Sequence, residues 1–285
     1  MKRYLFFSIA VVVALMVASC EKGTRLTEED LNIAEDDAIT EAIFDDIFNS
    51  VDIASILLEE TMKSGFPKGE YIAADSCPVI TVDHPEGTIW PKTVTIDYGE
   101  GCTLNDVTRK GKIIIVVTGM RHVTGSSRTV SFNDYYFNDI KVEGTKTIQN
   151  MGPNSNQNIV ISITLEGGKI LLPDGKSIER EVDREREWIA GFSTPRFIWD
   201  DECLVTGTTS GKTIKDVEYT TTITTPLHWK RVCRFIVAGI IRIEPAGGET
   251  AELDFGEGEC DALATLRRGD EVKTINLRVR HRLMQ

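Results

Sequence analysis

The feature that most constrains the fold is a pattern of cysteine, β-run and glycine turn that occurs twice. The first copy runs from Cys77 through Thr93-Val94-Thr95-Ile96-Asp97-Tyr98-Gly99-Glu100-Gly101-Cys102 to Arg109-Lys110-Gly111. The second runs from Cys233 through Ala251-Glu252-Leu253-Asp254-Phe255-Gly256-Glu257-Gly258-Glu259-Cys260 to Arg267-Arg268-Gly269. Cysteine to aspartate spans 20 and 21 positions, and aspartate to the basic-glycine turn 14 and 15. A match of this length exceeds what turn chemistry alone produces. Two related β halves, about residues 70–165 and 200–285, are therefore expected inside one β body.

The rest of the chain after Gly65 supports this. Alternating, β-branched runs follow one another: Thr93 to Ile96, Lys112 to Thr118, Thr129 to Phe132, Ile159 to Leu165, Thr213 to Thr225, Val232 to Ile243, Ala251 to Phe255 and Glu271 to Val279. Turn signals punctuate them at Glu166-Gly167-Gly168, Pro173-Asp174-Gly175, Ser210-Gly211, Ala246-Gly247-Gly248 and Arg268-Gly269-Asp270. Short turns between successive strands imply hairpins, hence antiparallel pairing. The expected fold is mainly β, with about a dozen strands. Two architectures fit, an antiparallel β-sandwich and a curved, partly open barrel with an internal two-fold repeat.

One helix precedes the β body, over roughly Thr27 to Lys63. Thr27 and Asp30 have capping-box spacing, and Ile39, Ile43, Ile47, Val51, Ala54 and Leu58 recur every three or four residues to make one apolar face. Asp37, Glu41, Asp45, Asp52 and Glu59 fall on other faces. Residues 21–65 carry thirteen carboxylates against Lys22, Arg25 and Lys63, most of the chain's net charge of −12. That balance disfavours nucleic acid as a partner, because its phosphates call for a basic footprint.

The N-terminus has the order of an export signal. Lys2 and Arg3 precede an apolar run from Leu5 to Val17, then Ala18-Ser19-Cys20. The run is shorter than the roughly 20 residues a membrane-spanning helix needs, but suits a signal segment. The end resembles the lipobox of bacterial lipoproteins, which implies cleavage before Cys20 and a lipid on its thiol. The organisation expected is a signal peptide over 1–19, a lipidated tether over 20–26, an acidic helical stem over 27–65 and the β body over 66–285. An outer-membrane location follows, on its periplasmic or its outward face, with the membrane as a partner through the anchor.

Five cysteines remain after Cys20, and an oxidising compartment permits disulfides. The repeat pairs Cys77 with Cys102 and Cys233 with Cys260, leaving Cys203 over. Metal binding is the weaker reading, since there is no C-x-x-C and His84, His122, His228 and His281 are scattered. These residues also carry a resemblance. The order acidic helix, Cys77-Pro78, Pro91 to Gly99, Arg109 to Ile115, Arg128 to Phe132, Val142 to Lys146, Thr224 to Leu227, Cys233-Arg234 and Asp254-Phe255-Gly256 is similar to uncharacterised lipoproteins of Bacteroidetes-type bacteria. The resemblance covers nearly the whole mature chain, implies no particular activity, and does not include Cys203.

Candidate chemistry is sparse. Asp97 with Glu100 and Asp254 with Glu257 could hold a cation, but each follows a strand where glycine serves a turn. Glu179, Glu181, Asp183, Glu185 and Glu187 alternate with Arg180, Arg184 and Arg186, which fits one face of a solvated, salt-laced edge strand. No G-x-S-x-G or cofactor motif occurs. Trp188 and Trp199 flank an irregular stretch around Gly191 to Pro195 and are the first place to look for a ligand surface, through the stacking that exposed indoles offer. The expectation is therefore a noncatalytic envelope lipoprotein without cofactor, working by binding or assembly, with an envelope protein or a glycan as partner. A carbohydrate-binding surface lipoprotein and a fimbrial-type subunit are the alternatives.

Overall fold

The computed structural model describes residues 25–64, 70–73, 77–83, 88–104, 106–194, 197–233 and 235–277, so Cys20 and the signal segment lie outside it. Helix α1 (Glu28–Ser64) is followed by β1 (Glu70–Ala73), β2 (Val79–Asp83), β3 (Lys92–Asp97), β4 (Cys102–Leu104) and β5 (Val107–Val117). Then come β6 (Ser127–Phe137), β7 (Ile140–Pro153), β8 (Ile159–Leu171), β9 (Ser177–Ala190) and, after a short 3-10 turn (Ile198–Asp200), β10 (Glu202–Lys212). The last strands are β11 (Glu218–Lys230), β12 (Phe235–Pro245), β13 (Ala251–Glu257), β14 (Leu263–Arg268) and β15 (Glu271–Asn276).

All of the strands join one antiparallel sheet in chain order from β1 to β15, with β4 set beside β5 off the main path. The sheet is mainly β meander, curved and not closed, so the partly open barrel is the architecture and the sandwich is not. Glycine supplies part of the curvature. Gly168 lies inside β8, where a Cβ would come within 2.4 Å of the Arg180 carbonyl, and the β8–β9 register slips between Leu165 and Gly168. Gly207 in β10 has φ +122°, and a Cβ there would sit 2.3 Å from the Asp183 carbonyl. Only a residue without a side chain lets neighbouring strands approach so closely, and such bulges increase local bend and twist.

Three glycine signals therefore differ from expectation. Glu166-Gly167-Gly168 and Ser210-Gly211 lie within β8 and β10, and Arg109-Lys110-Gly111 lies within β5 as a bulge opposite Asn133 and Tyr136. The turns at Pro173-Asp174-Gly175, Ala246-Gly247-Gly248 and Arg268-Gly269-Asp270 do separate strands, whereas Thr213 to Thr225 is split by a turn between β10 and β11.

The repeat has a physical counterpart. Asp97 accepts a 2.8 Å bond from the Gly99 N–H, and Asp254 a 2.9 Å bond from the Gly256 N–H. The first shapes the turn that ends β3, whereas the second lies inside β13 beside a register slip against β12, so the turn expected at Asp254-Phe255-Gly256 is a bulge. Cys77 is joined to Cys102 and Cys233 to Cys260. An odd number of antiparallel steps separates β3 from β13, so the two copies run in opposite directions and their bridges sit at opposite ends of the sheet. Cys203 is free and buried.

The helix forms where expected. Thr27 Oγ1 accepts from the Asp30 N–H at 3.2 Å while Asp30 Oδ2 accepts from the Thr27 N–H at 2.7 Å, a reciprocal capping box. The helix does not stand away from the sheet as a stem. It lies in the concave face, with Ile43, Phe44, Ile47, Phe48, Val51, Ala54 and Leu58 in a core shared with β2 to β9. Its first turns, through Ile33 and Ala34, join a second core built on β10 to β15. It starts at the β14–β15 turn, where the Leu26 N–H bonds Glu271 at 2.7 Å, and ends near the other pole, where Arg121 bonds Glu59.

Candidate functional site

A curved sheet encloses more than one face of a helix, so the acidic faces of α1 also meet the sheet. Along the helix the carboxylates find inward-pointing arginines. Asp30 pairs with Arg268 and Asp37 with Arg180 at 2.7 Å. Glu41 takes both Arg180 and, at 3.0 Å, Arg184, while Asp45 takes Arg186 at 3.2 Å. Asp46 receives a two-point contact from Arg109 at 3.0 and 2.5 Å. Asp52, 2% exposed, accepts from Arg128 at 3.1 Å and from Arg121 and Arg231 at 3.3 Å each.

Three of these arginines come from β9. It lies between β8 and β10 rather than at an edge, and Arg180, Arg184 and Arg186 are buried. The solvated edge expected there is half right: the glutamates face outward, and the arginines face the helix because residues two apart share one side of a strand.

The buried charges shift one another. Burial alone raises a carboxyl, but Arg184 and Arg180 outweigh it and hold Glu41 far below its ordinary range. Asp45 is raised, first by burial and then by its neighbour Glu41. Burial, reinforced by Arg186, brings the Lys146 ammonium down to about 8. Burial pushes the Cys203 thiol up to about 12, which keeps it protonated and unreactive.

The helix packs tightly against the first core but leaves space beside the second. A cavity of about 520 Å³ lies between α1 and strands β11 to β13. Its helix wall combines small side chains one turn apart, Ala34, Ala38 and Ala42, with the ion-paired carboxylates Asp37, Glu41, Asp45 and Asp46. Its sheet wall is apolar and aromatic, with Trp229, Phe235, Ile241, Leu253 and Phe255. Asn49 and Ile53, exposed on the otherwise enclosed middle of α1, form the rim together with Trp199, itself 48% exposed. Arg184 and Arg231 bring cationic groups to the lining.

A second cavity of about 340 Å³ contains Asp52, Glu59, Arg121, Arg128, Trp188 and Asp201. Arg231 reaches both Asp52 and, at 3.7 Å, Asp201, so a charged bridge divides the two spaces. Burial raises Asp201 to about 6, a shift that Arg231 only partly offsets.

Trp188 and Trp199 are therefore not one surface. Trp188 is half-buried against Phe192, with ring centroids 5.7 Å apart, and lines the second cavity; Trp199 stands at the rim of the first. Arg184 was expected on a solvated edge, and the alanine row escaped sequence reasoning, although Ala34, Ala38 and Ala42 at spacing four mark a helix face left narrow. Among the described residues no group of His, Cys, Asp and Glu is arranged to hold a metal ion, and no helix is long and apolar enough to cross a membrane. No family model, curated protein or solved structure matches this chain.

Proposed function

We propose that this chain is a noncatalytic lipoprotein of the cell envelope, held to the membrane through Cys20, whose β body binds a small apolar or amphipathic molecule between α1 and β11 to β13. The observation that carries the reading is the 520 Å³ cavity with one apolar, aromatic wall and one helical wall in which Ala34, Ala38 and Ala42 stand among ion-paired carboxylates. Its size falls in the range of about 300–1,000 Å³ usual for small-molecule sites, and a few polar groups beside an apolar wall are the usual lining of such a site. The ion pairs along the helix fix the cavity's two walls relative to each other, which lowers the ordering cost of binding.

The anchor reading rests on the order of residues around Cys20. Seven residues separate Cys20 from Glu28, so a chain of at most about 29 Å links the lipidated residue to the start of the helix. Cys20→Ala is expected to abolish incorporation of labelled fatty acid; incorporation that persists would overturn the anchor.

The binding reading is tested on the mature polypeptide made without lipid (residues 20–285, Cys20→Ser). Titration with the neutral apolar probe N-phenyl-1-naphthylamine should give saturable fluorescence at one site per chain. Ala38→Phe, which projects a ring from the helix into the cavity, should weaken it at least tenfold. A signal that never saturates, or is indifferent to Ala38→Phe, would sink the proposal.

A further inference from the structure

We infer that the ligand of this cavity carries an organic ammonium group on an apolar body, with its head at Glu41 and Asp45 on the helix wall and its body on the wall of Ile241, Leu253 and Phe255. The inference rests on the binding reading above and adds the charge and orientation of what is bound. Three observations carry it.

The first is which half of each ion pair meets the cavity. Asp37, Glu41, Asp45 and Asp46 line it, whereas Arg180, Arg186 and Arg109, which hold them from the sheet, do not. The side chains of Glu41, Asp45 and Asp46 are 25%, 30% and 28% exposed, against 1%, 9% and 11% for Arg180, Arg186 and Arg109. Each pair is thus a dipole with its negative end toward the cavity, and a row of such ends attracts positive charge. Of the two arginines that do reach the lining, Arg184 is bound by Glu41, and Arg231 is shared by Asp52 and Asp201, which lie outside it.

The second is a pair of open acceptors. Glu41 receives Arg180 and Arg184 on Oε2 alone, and Asp45 receives Arg186 on Oδ1 alone. Among the described residues no donor engages Glu41 Oε1 or Asp45 Oδ2, and neither oxygen is occluded. The two side chains stand four residues apart, hence side by side on the helix, so one ammonium group with three donors can meet both. Bonds from an ionised donor to a carboxylate are the stronger class of hydrogen bond.

The third is the aromatic character of the remaining lining. Phe235 and Phe255 stand on the sheet wall and Trp199 at the rim. Aromatic faces attract ammonium groups, and they do so without giving up their apolar contact with the rest of a ligand. Two further rings of the lining already serve cations in this way: the Arg186 guanidinium lies 4.9 Å from the centre of Phe48 and 5.6 Å from that of Trp229. A molecule with its head at Asp45 therefore meets only rings and aliphatic side chains as it crosses to the sheet wall.

The experiment is competition for bound N-phenyl-1-naphthylamine on the mature polypeptide by four molecules with one twelve-carbon tail: dodecylammonium, dodecyltrimethylammonium, dodecanol and dodecanoate, all below their micelle concentrations. At least one of the two cations should displace the probe at least tenfold more effectively than dodecanol, and dodecanoate should be weakest. Whichever cation is stronger distinguishes a primary head, bonded to the open oxygens, from a quaternary one held by charge and ring faces. Asp45→Asn should remove most of the preference, read as the ratio of cation to alcohol on the same variant. That substitution changes the net charge of −12 by one unit, so a general attraction of cations to an acidic protein would survive it. A preference that does survive overturns the placement of the head. Equal displacement by all four tails, or a lead for dodecanoate, overturns the cationic assignment and leaves the binding reading standing. Failure of the probe itself to bind overturns both. The comparison of tails on the unaltered chain keeps the test decisive if Asp45→Asn does not fold.

Discussion

At the scale of single residues, the molecule is organised by buried charges that have no slack. Arg180 is 1% exposed and holds both Asp37 and Glu41. Arg180→Ala is expected to cost about 3–5 kcal/mol, since it leaves Asp37 in the interior with only the Tyr219 hydroxyl and Glu41 with only Arg184. Arg180→Met combined with Asp37→Asn should recover a large part of that, because the buried charge leaves with its partner while Glu41 keeps Arg184. Urea denaturation midpoints check both. Asp201 makes a prediction about pH. Its folded-state pKa of about 6 lies above the 3.8 of an ordinary aspartate, so the proton favours the fold. The stabilisation is complete below about pH 4 and is lost as pH rises through about 6, a loss of at most about 3 kcal/mol. Asp201→Asn cannot lose it, so its Tm should gain on the wild-type Tm between pH 4.5 and pH 7.5. A gap that stays constant across that range would contradict this.

At the scale of elements, glycine decides whether a strand ends or bends. Gly207→Ala is expected to cost about 1–3 kcal/mol, because its φ of +122° is strained for alanine and the new methyl meets the Asp183 carbonyl and the Arg184 Cα. It should also weaken probe binding, since β9 carries Arg184. Gly175→Ala is the control: its φ of +86° is equally left-handed, but nothing lies within 4 Å, so only the backbone strain is felt and binding stays. This is also where the sequence was hard to read. Gly167-Gly168 and Ser210-Gly211 have turn chemistry, and the local pattern does not show that a neighbouring strand continues past them. Asp97-Tyr98-Gly99 was legible because carboxylate, spacing and glycine state the whole turn within three residues, whereas the same pattern at Asp254-Phe255-Gly256 sits inside β13 as a bulge. The bridges they precede are local too, 25 and 27 residues in span, and each is expected to contribute about 3 kcal/mol. Cys233→Ser with Cys260→Ser should lower the unfolding free energy from urea denaturation by that amount, and full reduction of the wild type should add about four protons to the intact mass.

At the scale of the whole molecule, the helix is the axis on which the sheet is wound. Its apolar stripe and its start were visible from the spacing of residues in one window. Its enclosure was not, because that depends on arginines from β5, β6, β9, β14 and the β11–β12 turn, spread over most of the chain. The cavity was illegible for the same reason: it is the gap left where two distant surfaces fail to close. Removal of residues 27–64 should therefore leave no cooperative near-ultraviolet transition in residues 65–285, since the inward arginines lose every helical counterion. A cooperative melt of the helix-free chain would show the sheet to be self-sufficient.

The capped start of that axis has a consequence in time. Asp30 is bound by Arg268, 238 positions later, and Leu26 by Glu271, 245 positions later. On the export proposed above, a chain that crosses a membrane from its N-terminus delivers the helix first and its final partners last. Throughout that passage the acidic segment remains hydrated and its apolar stripe unmatched, and contacts so distant along the chain close slowly. The first segment to arrive is thus the last to be secured, and the interval between those two events is when the protein is most open to capture by a chaperone or a protease.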